Sequence, residues 1–333
     1  MRIDRICFYL DDAERWRNWF VERLGWRAIA SEVIDATRWE TVRSGGVTFG
    51  LASALLPTSP VARYLQAHPP GVAEIVLEVT DIGAIVARAS GASTCLSEAS
   101  VTAGVRVMSP AGVAFVLKPP TEKVASDGWA AAIDHVVLNV AAATYAPVLD
   151  WCERVLGFER RQRFDVQTPR SGLISQVLVH PDGGLRLPVN APTSANSQIQ
   201  EFLDCNRGPG VQHVALATPE ILRVVRQLRR SGVAFLEVSE QYYDRLAARY
   251  PNLSASERED LRAARVLVDC PSARSHLLQI FTQPLFAQPT FFLELIERRG
   301  RAGGFGEGNF RALFEAIERE QVRRFGQTVT QFE

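Results

Sequence analysis

Two histidines and one glutamate, His135, His213 and Glu294, carry side chains that can hold a divalent metal ion. Two neutral imidazoles and one carboxylate on one face of a cation form the facial triad of non-haem iron(II), which leaves positions open for substrate and oxygen. The three residues are too far apart along the chain for a local zinc motif, so only a folded sheet could bring them together. We therefore predict an iron(II) site.

Each of these residues has a simpler explanation when it is taken singly. His135 or His213 alone would more often be a hydrogen-bonded core histidine than a ligand, and Glu294 alone could be a partly exposed carboxylate. Their recurrence at equivalent positions of an internal repeat favours the metal site. The remaining histidines lack that support and are interpreted as structural or surface residues: His68, His180 and His276.

The repeat divides the chain into two similar halves. Similar segments pair as 3–5 with 133–135, 19–26 with 151–158, and 64–77 with 202–215. In the first half, the positions of the three candidate ligands are occupied by Arg5, Glu74 and Val116. That half cannot reproduce the ligand set, so the repeat predicts the chemistry in the second half.

Four segments follow one plan, in which a short strand and an amphipathic helix precede several strands separated by Gly, Pro and Asp turns. These units lie at about 1–56, 71–120, 133–190 and 210–300. Their alternation indicates an α+β protein of two domains. We predict an N-terminal domain without a metal site over 1–120, a linker over 121–132 and a catalytic domain over 133–333.

Composition narrows the classes of function. The chain has 333 residues, 47% of them hydrophobic, which is typical of a well-packed globular protein. Its 37 basic residues balance 37 acidic ones, so no global field attracts nucleic acid or an anionic membrane. Five scattered cysteines without a C-x-x-C pair, and no export signal or long apolar run, make a reducing cytoplasm the simplest setting.

Several motifs of the second half carry a family resemblance. Segments 197–203, 210–215, 278–282 and 304–310 together resemble the 4-hydroxyphenylpyruvate dioxygenase family, whose wider relatives are the vicinal-oxygen-chelate proteins. The first half resembles that family only through its repeat plan and its Pro-Pro-Gly-Val segment. The resemblance implies paired βαβββ units that curl into an open barrel around a metal.

The resemblance also implies an activity. An iron(II) enzyme of this family would convert 4-hydroxyphenylpyruvate and O2 to homogentisate and CO2, through an iron-bound 2-oxo acid and a ferryl intermediate. It implies a homo-oligomer, most simply a dimer. By position, it implies catalytic roles for Gln212, Gln279 and Asn309. It places polar substrate contacts at Ser171, Asn190 and Gln198, and aromatic walls at Phe281, Phe305 and Phe310.

The last helix shows an apolar face at Phe310, Leu313, Phe314 and Ile317, the spacing of one buried helical side. Packing against the sheet is its default role. Glycines just before it would allow it to close over the metal as a lid and exclude water.

Two other functions remain open from the sequence. A 4-hydroxymandelate synthase would use the same substrate and metal but hydroxylate the benzylic carbon, and Phe310 favours the dioxygenase because synthase-like patterns carry a smaller aliphatic residue there. Relatives with paired βαβββ units also include proteins that sequester ligands without reacting. Those proteins would not need the complete triad.

Overall fold

The computed structural model describes residues 1–92, 94–98, 104–122, 127–168, 171–272 and 274–329. The elements of the first half are β1 (Arg2–Leu10), α1 (Ala13–Leu24), β2 (Arg27–Ile34), β3 (Thr37–Ser44), β4 (Val47–Ala54), α2 (Pro60–Ala67), β5 (Gly71–Glu78), α3 (Ile82–Gly91), β6 (Leu96–Glu98), β7 (Val105–Met108) and β8 (Ala114–Lys118).

The elements of the second half are β9 (Ala132–Asn139), α4 (Ala142–Trp151), a π-helical turn (Cys152–Leu156), β10 (Glu159–Gln167), β11 (Gly172–Val179), β12 (Arg186–Pro192), α5 (Gln198–Cys205), β13 (Gly210–Ala217), α6 (Ile221–Arg230), α7 (Glu240–Asp244), α8 (Leu246–Arg249), α9 (Ala255–Ala264), β14 (Leu267–Ser272), β15 (Ser275–Phe281), β16 (Phe292–Arg299), a 3-10 turn (Glu307–Asn309) and α10 (Phe310–Val329).

The first helix of each half ends at the same place in the repeat. Gly25 follows α1 with φ of 69°, and Gly157 follows the π-helical turn after α4 with φ of 79°. Both lie in the left-handed region, which glycine adopts without a steric penalty and which commonly terminates a helix. The start of α1 is fixed by Asp12, whose side chain accepts a hydrogen bond from the backbone N–H of Arg15.

The strands form two eight-stranded sheets with the same order. The first runs β2-β3-β4-β1-β5-β8-β7-β6 and the second β10-β11-β12-β9-β13-β16-β15-β14. In each sheet two βαβββ units lie side by side, and their first strands pair antiparallel at the centre. The second sheet curls into a half-barrel that α10 covers. The predicted α+β fold of paired βαβββ units with a C-terminal lid helix is confirmed.

Aromatic side chains join the two halves into one apolar core. The Phe8 ring meets the Phe291 ring edge-on with centroids 5.0 Å apart. Trp16 packs against Phe286 at 4.9 Å. The indole N–H of Trp129 donates to the carbonyl of Leu24 at 2.8 Å. Burial of this much aromatic surface stabilises the contact between the halves strongly.

The predicted linker is only partly exposed. Trp129 and Ala130 are buried, whereas Asp127 and Gly128 are exposed. Residues 123–126 of the predicted linker and residues 330–333 of the predicted catalytic domain lie outside the described residues. Within the described part of the chain, no helix is both long enough and apolar enough to cross a membrane.

Candidate metal centre and cavity

The three candidate ligands come from neighbouring strands at the centre of the second sheet. Ala215 of β13 pairs in register with His135 of β9 on one side and with Glu294 of β16 on the other. His213 lies two residues before Ala215, on the same face of β13. The ligands therefore form a triangle around one small side chain.

Their side chains converge on one point. His135 Nε2 lies 3.2 Å from Glu294 Oε2, and His213 Nε2 lies 3.4 Å from the same oxygen. One ligand atom from each residue lies within 4.8 Å of the others, and all three residues are buried. Ligand atoms about 2.1 Å from a first-row cation and at right angles would lie about 3 Å apart. The set thus fits a divalent metal that keeps open positions toward the cavity.

Hydrogen bonds fix which atom of each ligand faces that point. The Nδ1 atom of His135 lies 2.9 Å from Asp134 Oδ1, and that of His213 lies 3.1 Å from Gln212 Oε1. Because both partners are acceptors, each Nδ1 carries the proton and each Nε2 presents its lone pair. Gln279 Nε2 donates to Glu294 Oε1 at 2.9 Å, which leaves Oε2 of that carboxylate for the metal.

A bulge in β13 explains how Gln212 and His213 can face the same cavity. Neighbouring residues of a strand normally point to opposite sides of the sheet. The pairing register of β13 with β9 shifts between Val211 and His213, so this alternation is broken. Both side chains consequently line the cavity.

The protonation of the three ligands is coupled. Burial opposes a charge on His135, but the Glu294 and Asp134 carboxylates outweigh it and raise the pKa of His135 to about 9. Burial lowers the pKa of His213, whose other ring nitrogen meets a neutral amide. Burial disfavours the Glu294 anion, but the two imidazoles outweigh it and lower its pKa to about 2. A proton shared with His135 thus offsets the charge of Glu294, and a bound cation would replace it.

A cavity of about 100 Å³ opens beside the ligands. Its only ionisable lining residues among the described part of the chain are the three ligands themselves. The rest of the wall is apolar or carries neutral amides and hydroxyls. It includes eight residues predicted at the site: Asn190, Gln198, Gln212, Gln279, Phe281, Phe305, Asn309 and Phe310.

Ser171, which was predicted to contact substrate, is not part of the cavity wall. It precedes β11, and its hydroxyl donates to Glu318 Oε1 of α10 at 2.7 Å. Ser175 lines the cavity instead, directly across the strand pair from Asn190. The sequence held a signal for this: Leu173, Ser175 and Val177 alternate along one face of β11.

Two buried amides, one in the wall and one next to it, have unused hydrogen-bonding atoms. Within the described part of the chain, Gln198 Oε1 is buried without a partner, and so is Asn139 Nδ2 next to the wall. Asn190 Nδ2 donates to Asn139 Oδ1 at 3.1 Å. A buried polar atom without a partner is unfavourable. This end of the cavity is therefore suited to a ligand with a hydroxyl group.

The segment 300–309, here called the lid loop, connects β16 to α10 and closes one side of the cavity. Gln279 Nε2 also donates to the carbonyl of Phe305 at 3.0 Å, and Asn309 Nδ2 donates to Gln279 Oε1 at 3.0 Å. Tyr242 Oη in turn donates to Asn309 Oδ1 at 2.8 Å. A chain of hydrogen bonds thus connects the lid loop to the ligand Glu294.

The lid helix α10 supplies the apolar roof. The four residues of the apolar face that the helical spacing predicted all line the cavity, namely Phe310, Leu313, Phe314 and Ile317. The Phe310 ring meets the Phe164 ring edge-on at 5.0 Å between centroids. The helix therefore covers the cavity with apolar side chains.

The first half holds a different polar cluster at the equivalent place. Val76 pairs with Arg5 and Val116 as Ala215 pairs with His135 and Glu294, and Glu74 takes the position of His213. Glu74 accepts hydrogen bonds from Tyr9 at 2.8 Å and from Arg106. Within the described residues, the only group with metal-ligand geometry is the triad of the second half.

Comparisons with known proteins agree with this geometry. The family model described as Glyoxalase/Bleomycin resistance protein/Dioxygenase superfamily matches residues 2–126 and 132–250. An uncharacterized protein from Synechocystis is 34% identical over 96% of this chain and 97% of its own length. A 4-hydroxyphenylpyruvate dioxygenase from Caenorhabditis briggsae is 31% identical over 96% of this chain and 92% of its own.

A solved structure is similar over nearly the whole chain. A mutant of 4-hydroxymandelate synthase from Streptomyces coelicolor superposes with a TM-score of 0.87 at 27% identity, covering 96% of this chain and 98% of that one. The resemblance inferred from the sequence is confirmed. The chain belongs to the Glyoxalase/Bleomycin resistance protein/Dioxygenase superfamily and is a dioxygenase-type enzyme related to 4-hydroxyphenylpyruvate dioxygenase.

Proposed function

We propose that this protein is an iron(II)-dependent 4-hydroxyphenylpyruvate dioxygenase, which forms homogentisate and CO2 from 4-hydroxyphenylpyruvate and O2. The observation that carries the proposal is the distribution of charge in the cavity: of the residues that the structure describes, only His135, His213 and Glu294 are both ionisable and part of the lining. Relatives named 4-hydroxyphenylpyruvate dioxygenase, about 30% identical over nearly the full chain, support it.

The charge balance favours a 2-oxo acid. Two neutral imidazoles, one carboxylate and a divalent cation leave one net positive charge in a buried site. A substrate carboxylate would neutralise that charge, and no described residue of the cavity wall offers it another cation. Iron(II), when bound, would supply the activation of O2 and the attraction for the oxo acid.

The residues of the chain would orient the rest of the substrate. Phe281, Phe305 and Phe310 give flat apolar surfaces for an aromatic ring. Ser175 and the unsatisfied Gln198 Oε1 offer neutral partners for a phenol hydroxyl at the polar end. Holding both ends of the substrate fixes which carbon lies closest to the metal, and this orientation is the main contribution of the protein.

Formation of 4-hydroxymandelate is the second candidate, favoured by the structural similarity to 4-hydroxymandelate synthase. The metal ligands do not separate the two reactions because both start from the same oxo acid. The aromatic ring of Phe310 lines the roof of the cavity and supports the dioxygenase, since it would restrict the ring of a bound substrate from above.

The test is product analysis with purified protein. The protein is prepared anaerobically, loaded with iron(II) and given 4-hydroxyphenylpyruvate and O2, with oxygen uptake followed by an electrode. Homogentisate and 4-hydroxymandelate have the same molecular formula, so chromatographic retention against standards identifies the product. Hydroxymandelate as the main product would overturn the assignment.

Variants test the metal site in the same assay. We expect near-complete loss of iron binding and oxygen uptake in His135→Ala, His213→Ala and Glu294→Ala, because each removes a ligand. His276→Ala is the matched control, since His276 is outside the cavity wall. Folded triad variants that kept full activity would contradict the proposal.

A further inference from the structure

Arg298 of β16 contacts the lid loop, and it also contacts Asp134, the hydrogen-bond partner of the candidate metal ligand His135. Its Nε and Nη2 atoms donate to the two carboxylate oxygens of Asp134 at 2.7 and 2.8 Å. Its Nη1 atom donates to the carbonyls of Ala302 and Gly304 at 3.0 and 2.9 Å. One planar side chain therefore holds the loop and the carboxylate together.

Asp134 connects Arg298 to the metal site. Its Oδ1 atom accepts the Nδ1 proton of His135, which sets the orientation of the ligand ring. Arg186 lies 3.6 Å from the same oxygen but is more exposed, with 36% of its side chain accessible against 18% for Arg298. The bidentate pair with Arg298 is thus the main restraint on Asp134.

We propose that Arg298 is a positioning residue through which closure of the lid loop and orientation of His135 depend on each other. The inference rests on the proposed metal site. When the loop is closed, two of its carbonyls fix the guanidinium, the guanidinium fixes Asp134, and Asp134 fixes the imidazole. When the loop opens, Arg298 loses two acceptors and Asp134 gains freedom to rotate. A bound metal, by holding His135, should stabilise the closed loop in return, because coupling between two sites is reciprocal.

The opposite explanation is that Arg298 only fills space and balances a buried charge. Under that explanation, removing it would lower stability without connecting metal binding to the loop. Two independent readouts separate these cases, namely metal affinity and the exchange of backbone amide hydrogens in the lid loop, each measured without substrate.

The experiment compares Arg298→Gln, Arg298→Lys and the neighbouring Arg299→Gln. Arg299 pairs with Glu297 and is the matched control for loss of one arginine from the same strand. Affinity for iron(II) is measured by anaerobic titration, the cobalt(II) absorption spectrum reports ligand geometry, and hydrogen exchange of residues 300–309 is followed with and without saturating metal.

In the wild-type protein and in Arg299→Gln, we expect metal to slow exchange in the lid loop. In Arg298→Gln, we expect affinity to fall by about 10- to 100-fold, an altered cobalt spectrum, and loop exchange that saturating metal no longer slows. Arg298→Lys keeps a charge for Asp134 but cannot bridge all the acceptors. It should regain part of the affinity without the protection of the loop.

Wild-type affinity, or intact metal-dependent protection of the loop, in a folded Arg298→Gln protein would overturn the inference. Protection retained in Arg298→Lys would contradict it as well. If the wild-type protein bound no metal, the proposed function would fail together with the inference. If it bound metal and Arg298→Gln behaved identically, only the inference would fail.

Discussion

Gly306 is the position of the lid loop at which one added methyl group should destabilise the protein most. Its φ is +77°, in the left-handed region, and a Cβ atom placed on it would lie 1.8 Å from Gln279 Oε1. A carbon and an oxygen need more than 3 Å of separation, so Gly306→Ala requires the Gln279 side chain to move by over an ångström. Gln279 is 3% exposed and has little room to do so.

The magnitude follows from the bonds that this movement breaks. Gln279 bonds to Glu294, Phe305 and Asn309 at 2.9 to 3.0 Å, so a shift of that size disrupts these contacts. A hydrogen bond to a charged group contributes about 1.5–3 kcal/mol, and the left-handed backbone adds about 1–2 kcal/mol for alanine. We expect Gly306→Ala to lower the free energy of unfolding by several kcal/mol, or to open the lid loop locally.

The assay measures both consequences. Urea unfolding gives the free energy, and steady-state oxygen uptake gives kcat/KM, which should fall at least tenfold because Glu294 loses an orienting partner. Gly303→Ala is the matched control, since no atom of the described residues lies within 4 Å of its added Cβ and its φ is not left-handed. Wild-type kcat/KM and a free energy within about 0.5 kcal/mol of wild type in Gly306→Ala would refute the reasoning.

Three further predictions address the cavity wall, the floor of the metal site and its protonation. Ser175→Ala should lower kcat/KM by about tenfold through loss of one hydrogen bond. Ser171→Ala should leave KM unchanged, because Ser171 bonds to Glu318 and is not part of the cavity wall. Identical steady-state kinetic constants in the two variants would contradict the placement of the two serines. Ala215→Val should abolish metal binding in a folded protein, because added methyl groups push His135 and Glu294 apart, and unchanged metal content by elemental analysis would refute this. In the metal-free protein, the pKa of His135 is raised to about 9 from 6.5, so its contribution to stability is present below pH 6.5 and lost as pH rises through 9. The pKa of Glu294 is lowered to about 2 from 4.5, so its contribution is present above pH 4.5 and lost as pH falls through 2. After the metal is removed with a chelator, the free energy of unfolding should therefore contain both contributions between pH 4.5 and 6.5. If His135→Gln left the pH dependence of this free energy unchanged, the raised pKa of His135 would be contradicted.

The fold and the triad could be predicted because the chain repeats itself. Turn glycines such as Gly25 and Gly157 recur at matching places of the two halves. The first half has Arg5 at the position equivalent to His135, which indicated that the metal site lies in the second half. The resemblance to the 4-hydroxyphenylpyruvate dioxygenase family then indicated most of the predicted residues that line the cavity. These signals are local, or they connect segments of similar sequence, so they are visible without coordinates.

What the sequence did not reveal depends on contacts between dissimilar, distant segments. Ser171 and Ser175 lie four residues apart, and only the strand boundary and register show which one faces the cavity. The bulge that turns Gln212 toward His213 has no sequence signature. Arg298 meets Asp134 across a separation of 164 residues in the sequence.

The aromatic contacts between the halves give a structural role to the half without the triad. Phe8 and Trp16 of the first half pack against Phe291 and Phe286 of the second, and Trp129 bonds back to Leu24. Deletion of the first half would expose these rings to water. The first half, although it lacks the triad, therefore keeps part of the core of the second half away from water.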